Sequence, residues 1–313
     1  MGRAMGINAS MALAFEATYG TSPASGYKKL PFISATLSAE QGLIADDIIG
    51  TGRDPSAPSR DVINVNGDVV VPVDLLNFGN WLKLLLGAPT SVNASGTYTH
   101  TFGSNLQALP SAAIEIGNPE VPSYAMNKGV MANTLNIRMQ RSGLVQATVG
   151  LIGQNEVVAG TTGAGTPTEA AVTRFNQFQG SIKRDGTPLG NVVSADFTYS
   201  NNLEQVEVIR ADGLIGGVDP GKASFTGSIV ARFDSLDLFN LAVAGTASEI
   251  AFGFEIGASS KLTFTLPSVF LPRPKREISG PNGVQATFAI QASRAGAGTK
   301  MLTAALVNNV ASY

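Results

Sequence analysis

The stretch GGVDPGKA, residues 216 to 223, departs by one residue from a phosphate-binding loop of the form G-x-x-x-x-G-K-[ST]. Ala223 stands where a hydroxyl would hold magnesium. The following ASFTGSIVARF alternates like a strand, whereas a bound phosphate rests on a helix N-terminus. The stretch therefore reads as a turn entering a strand. His100 is the single histidine and lies in the alternating TYTHTF, which predicts a surface or partly buried strand position. One histidine and no cysteine leave little material for a nucleophilic triad or a metal cluster. Asp46-Asp47 and Arg53-Asp54 fall in a polar, proline-bearing loop, where solvated charges are expected rather than a working pair of acids. Asn8-Ala9-Ser10 and Asn93-Ala94-Ser95 match a glycosylation pattern, but no secretory run accompanies them. No catalytic residue, cofactor or metal site is expected.

Composition narrows the classes further. The 313 residues are 44% hydrophobic and 14% charged, with 35 glycines and 16 prolines, which predicts many short elements between frequent turns. A formal net charge of −2 gives no basic footprint for gripping nucleic acid or an anionic membrane. Without disulfides, stability must come from packing or assembly. Nothing addresses the chain to a membrane: no run is long and apolar enough to span one, and Gly6 stands where a myristoylation motif needs Ser or Thr.

The elements that would position any site repeat. A shift of 160 residues lays FISATLS (32 to 38) on VVSADFT (192 to 198) and NGDVVVPVD (66 to 74) on TGSIVARFD (226 to 234) without a gap. Parity agrees. Ile33, Ala35, Leu37, Val65, Val69 and Val73 fall on Val193, Ala195, Phe197, Phe225, Ile229 and Phe233, so apolar residues take the odd positions in both copies. After Asp74 and Asp234, placed as N-caps, the period turns helical: Leu75, Phe78, Leu82 and Leu85 before Gly87, then Leu238, Leu241 and Val243 before Gly245. VQAT then recurs at 145 and 284, a shift of 139, so the first half carries extra residues between about 88 and 132. Strands are predicted near 31–38, 62–73, 132–141 and 144–153, and near 190–199, 222–233, 260–270 and 283–293. A further strand near 175–183 should run into a hairpin turn at Asp185-Gly186. Residues 154–171, rich in Gly and Thr, read as a linker. The fold class is mainly β: two tandem sandwich or barrel units, 1–157 with an N-terminal arm and 158–313 with a C-terminal segment, each with one short α-helix. Trp81 should pack in the core.

If odd positions fill the core, the opposite face shows Ser34, Thr36, Ser38, Asn64, Asn66 and Asp68 in one copy. The other shows Ser194, Asp196, Thr198, Ser224, Thr226, Ser228 and Arg232. These small polar side chains suit either an ordinary solvated sheet or the wall of a water-filled conduit that must not grip DNA. Several phrases carry a resemblance: FEATYGTSP, then GDVVVPVD leading into the leucine-rich helix that stops at Gly87, YTHTFG before LPSAAIEIG, and the closing ALVNNVASY. Together they resemble the tail tube (major tail) proteins of bacteriophages with long, non-contractile tails. The resemblance implies a structural virion protein, not an enzyme, whose copies close into rings around a β-barrel lumen and stack into a hollow tail. The thirteen polar residues would then face the lumen. It also implies assembly in the host cytoplasm, contact with a tape-measure protein and with tail terminator and distal tail proteins, and transient passage of viral DNA. A duplicated unit would need three chains per ring. A tail fibre, decoration or receptor-binding module, or a carboxylate-based glycan hydrolase, would be the other readings.

Overall fold

The computed structural model describes residues 3–50, 52–232, 235–275 and 284–313. The first half opens with strand β1 (Ser10–Phe15), β2 (Lys28–Lys29), β3 (Ser34–Ala35), β4 (Ser38–Ile44) and β5 (Ser59–Pro72), followed by helix α1 (Phe78–Leu86). Strands β6 (Thr90–Ala94), β7 (Thr97–Gly103), β8 (Ala112–Asn118), β9 (Ser123–Met139), β10 (Gln146–Gly153) and β11 (Asn155–Ala159) complete it. After β12 (Thr168–Glu169) the second half runs through β13 (Gly180–Arg184), β14 (Thr187–Pro188), β15 (Val192–Ser200), β16 (Glu204–Val206), β17 (Gly217–Asp219) and β18 (Ser224–Arg232). Helix α2 (Asp237–Ala244), β19 (Ser248–Gly257), β20 (Ser260–Phe270), β21 (Gln285–Ala292) and β22 (Thr303–Asn308) end the chain. The protein is mainly β with two short helices, as its periodicity predicts.

One ladder crosses the molecule. Within the first half the neighbours run β3/β4, β5, β10, β9. Then β9 pairs antiparallel with β15, Ala195 opposite Met139 through Ser200 opposite Thr134, and the ladder continues β18, β21, β20. A second layer covers each end: β1, β8, the start of β9 and β11 in the first half, and β13, β19, β20 and β22 in the second. The hairpin β6–β7, built from the extra residues of the first half, pairs with β22. Chain from the two halves thus meets along the β9–β15 and β7–β22 ladders and where β12 pairs with β2, and one large buried cluster extends from Met11 to Leu306.

Helix α1 lies inside this cluster. Its sequence FGNWLKLLL is apolar nearly all round, as an enclosed helix should be. Phe78, Trp81, Leu82, Leu84, Leu85 and Leu86 are all buried, each contributing about 1.5–3 kcal/mol. The helix starts at Phe78 rather than Leu75 because Leu75–Asn77 form a turn. Asp74 caps that turn: its Oδ2 accepts the N–H groups of Leu76 (3.2 Å) and Asn77 (2.9 Å) and the Asn77 side-chain amide (2.8 Å). Burial pushes the Asp74 carboxyl above its ordinary pKa. The equivalent cap expected at Asp234 lies outside the described residues, as does Phe233. At the other end of α1, Asn201 of the second half donates through Nδ2 to Leu85 O and Ala132 O, both at 2.9 Å, satisfying a carbonyl the helix leaves free. Helix α2 is looser: Ala242 is buried but Val243 is exposed.

Two glycines mark close strand crossings. A Cβ at Gly67, whose φ is 153°, would lie 2.5 Å from Thr36 O and 2.6 Å from Leu37 N. At Gly227 it would lie 2.2 Å from Asp196 O and 2.8 Å from Phe197 Cα. Backbone cannot retreat as a side-chain tip can, so only glycine fits at either crossing.

Several expectations change. The 154–171 segment is not an open linker: β11 pairs with β9, and the Glu115 carboxylate accepts Thr162 Oγ1 (2.5 Å) and the N–H groups of Gly163 (2.6 Å) and Ala164 (3.2 Å). The strand expected at 175–183 begins only at Gly180, after a short 3-10 turn over Gln177–Gln179. Its turn at Asp185-Gly186 forms as predicted, with φ of 48° and 77°. Ile33 and Val193 point to solvent, Val193 because it is skipped in a bulge between Val192 and Ser194.

Asp74→Ala should lower unfolding free energy by about 1–2 kcal/mol in urea titration of the unassembled chain, the loss of one cap. Gly67→Ala and Gly227→Ala should each cost about 1–3 kcal/mol by the same measurement, as overpacking against backbone requires.

Candidate functional site

The residues with catalytic promise do not converge. The 216–223 stretch forms β17 and then enters β18, with no helix after it. His100 is fully buried rather than superficial: Nε2 donates to Val310 O (2.8 Å), Nδ1 takes the Ser91 hydroxyl (2.7 Å), and Tyr313 packs edge-on at 4.9 Å. This histidine pins the C-terminal segment, whose Tyr313 hydroxyl donates to Leu76 O at 2.9 Å. Asp46 sits on the exposed hairpin arm formed by β4 and β5, where hydrogen bonds from Ser56 and the Ile48 N–H hold its carboxyl below the ordinary range. A general acid would need the opposite shift. Among the described residues no group of three or more metal-ligating side chains occurs, and no helix is long and apolar enough to cross a membrane.

The large polar face of the ladder is the remaining candidate. Its inner face carries Val65, Val69, Val71, Leu135, Ile137, Ala195, Phe197, Phe225 and Ile229, all buried. On the other face Ser34, Thr36, Ser38, Asn64, Asn66, Asp68, Thr226 and Arg232 are exposed, and Ser194, Asp196, Thr198, Ser224 and Ser228 are half-buried. The register sets them in rows. Thr148, Asn136, Thr198, Thr226 and Gln291 stand side by side on five consecutive strands. A second row runs Asp68, Gly150, Thr134, Ser200, Ser224, and a third Arg138, Asp196, Ser228, Ala289. Asn136 Nδ2 donates to Thr198 Oγ1 at 2.9 Å, and the Ser228 hydroxyl donates to Asp196. The rows cross the β9–β15 seam without interruption. Asn64, opposite Glu40, lies on the arm beyond the last β5–β10 pair, whereas Ser38 stands opposite Asn66, which still pairs with Ile152 of β10.

The sequence reading omitted Asn136 and Arg138, although TLNIR at 134–138 alternates with the right parity. It also passed over Val70 and Val230, half-buried apolar residues at matching positions on the polar face. Where the rows run, on β5 from Gly67, on β9 from Thr134, and on β10, β15, β18 and β21, the charged residues are Asp68, Asp196, Arg138 and Arg232, two of each sign.

Among the described residues the ladder has an unpaired edge at each end. Among the described residues β3 and β4 pair only with β5, and β21 from Gln285 to Ile290 pairs only with β18. In mid-ladder the strand β15 has partners on both sides. Two arms carry exposed apolar residues: the β4–β5 hairpin, with Ile49 98% exposed, and the segment around β16–β17, with Ile209 fully exposed. On the second arm Arg210 grips Asp212 through Nε (2.9 Å) and Nη2 (2.6 Å), holding that carboxyl near a pKa of about 2.

A polar sheet with edges unpaired among the described residues and with apolar loop tips has the features of a component of an assembly. A search of curated proteins returns no match. A family model described as phage tail tube protein matches residues 6–292, from the N-terminal arm to the end of β21, and the chain belongs to that family.

Proposed function

We propose that three copies of this chain close head to tail into a ring of pseudo-sixfold symmetry, and that stacked rings form the hollow tail tube of a phage with a long, non-contractile tail. The observation that carries this reading is the order of the ladder. β3/β4, β5, β10, β9 in one half is followed by β15, β18, β21, β20 in the other, and the 160-residue shift sets β3 on β15 and β5 on β18. The crossing of Gly67 over Thr36 and Leu37 has its counterpart in Gly227 over Asp196 and Phe197, the same positions under that shift. The β9–β15 seam would then be the covalently supplied example of a junction that recurs between chains. Open edges at both ends fit heterologous closure, which removes every edge.

The two units are proposed as 1–157 and 158–313; β11 pairs with β9 and extends the first unit through Ala159. The polar rows would line the lumen, with the thirteen residues named above as candidates. Small neutral side chains keep such a wall wet, and few charges keep phosphates from lodging on it. DNA would pass to the host through this channel after a tape-measure protein leaves. Tail terminator and distal tail proteins would cap the tube, and assembly would take place in the host cytoplasm. The N-terminal residues and the tip of the β4–β5 arm are the surfaces for ring-to-ring contact; the C-terminal segment 298–313 is not among them, because β22 is paired on both sides and Tyr313 is packed into the fold.

End-on averages of the assembled protein by electron microscopy should show three chains around a hollow centre. Six chains per ring would overturn the trimer, and particles without a lumen would overturn the tube. In particles carrying Thr226→Lys and Ser228→Lys together, rings should remain intact while DNA release slows. A collapse of the isolated chain's fold in this variant would show that these side chains face the core.

A further inference from the structure

The second-half arm does not hang free. Residues 203–218 fold back over the first half, where Gly213 O accepts the Ile63 N–H (3.1 Å) and Ile215 O accepts the Gln154 side-chain amide (3.2 Å). Ile215, Val218 and Leu203 pack there with Met131 and Ile152. This seat exists because β15 is paired with β9, which brings the arm that follows β15 over the ends of β5 and β10.

Carrying the seat into the second half by the same shifts, 160 for Ile63 and 139 for Met131, Ile152 and Gln154, gives Ala223, Phe270, Gln291 and Ser293. In the structure three of these positions line an open cleft and the fourth pairs with one of them. Ala223, Gln291 and Ser293 line a cavity of about 870 Å³, and Phe270 stands across the ladder from Gln291. The occupant is missing in the single chain. Met131 is 5% exposed under Leu203, whereas Phe270 is 42% exposed and Leu43, the counterpart of Leu203, is 69% exposed. Charge agrees with the match: the cleft's ionic residues are Lys222 and Arg294, while the arm from Ile44 to Pro58 carries Asp46, Asp47 and Asp54 against Arg53, a net negative charge.

We propose that this cleft is the receptor for the β4–β5 arm of a second copy of the chain, with Leu43 seated against Phe270 as Leu203 is seated against Met131. The assignment rests on the ring reading, since only a neighbour joined at the open β3/β4 edge places its arm there. The residues that fill the in-chain seat as Ile215 and Val218 are Pro55 and Pro58 on the incoming arm, apolar in both cases. Each chain then gives one arm to a neighbour and keeps one for itself.

The chain has no cysteine, so single thiols can be introduced without background. Leu43→Cys and Phe270→Cys chains are assembled together and treated with a short bismaleimide, with each variant alone as the control. The expected result is a two-chain product in the mixture that neither variant gives alone, its linked peptides containing residues 43 and 270. A Leu43→Cys and Ser293→Cys mixture repeats the test where Phe270 packing is untouched. Rings visible by electron microscopy without a mixed product from either pair overturn the seat while leaving the ring reading intact. Unmodified chain that forms no rings at any concentration, with no mixed product, overturns both.

Discussion

A strand holds its place only if both of its edges find hydrogen-bond partners or water, and the seam between β9 and β15 meets that requirement for the whole molecule. Six consecutive residue pairs join the halves there. The apolar sides of those residues, Leu135, Ile137 and Met139 against Ala195, Phe197 and Tyr199, close one core in place of two. Helix α1 depends on the same seam, because Asn201, which satisfies its last turn, is carried in just beyond β15. Tyr199 is anchored to the same asparagine, its hydroxyl donating to Asn201 Oδ1 at 3.0 Å. Loss of the seam would therefore uncover apolar area and free a helix carbonyl together.

The polar face follows from this geometry. Side chains alternate along each strand, so a register that buries the odd positions must present the even ones in rows. Continuity of the rows across the seam means that the surface has no boundary where one half ends. A wall made this way is uniform in chemistry, with hydroxyls and amides bonded to one another across strands, as Asn136 is to Thr198. In the proposed tube such a face would suit the passage of a long polyanion, since each lodged phosphate would add a barrier to movement.

Much of this was legible in the sequence because alternation is a local property. The strands around Val65–Val73, Ala195–Tyr199 and Phe225–Ile229 show their buried side in the residue types alone. The helix after Asp74 was also legible, but its first turn was not. Leu75 fits the helical spacing, and only the Asp74 hydrogen bonds show that the chain makes a separate turn there. The TYTHTF of β7 alternates and reads as a strand, but its pairing with β22 left no local signal; β6 and β11 escaped because they have no apolar alternation, and their order comes from β7 and β9. The burial of His100 has the same cause, since Val310 and Tyr313 lie more than 200 residues away. Pairing between the halves, on which the polar face depends, is non-local by nature and left only its repeat as a trace.

The β9–β15 seam is made inside one chain, and that changes how an assembly of such chains would grow. A junction between separate subunits forms at a rate set by their concentration, whereas two segments on one chain meet at an effective concentration set by the residues between them. Here that connection is shortened further by β11, β12 and the Glu115 contacts, which hold most of it against the first half. In the proposed ring, half of the junctions would exist before any two molecules meet, so closure would require three junctions between molecules where unlinked units need six. The dependence of nucleation on protein supply would be correspondingly shallow, and dilute subunits could begin a tube that a chain of half the length could not.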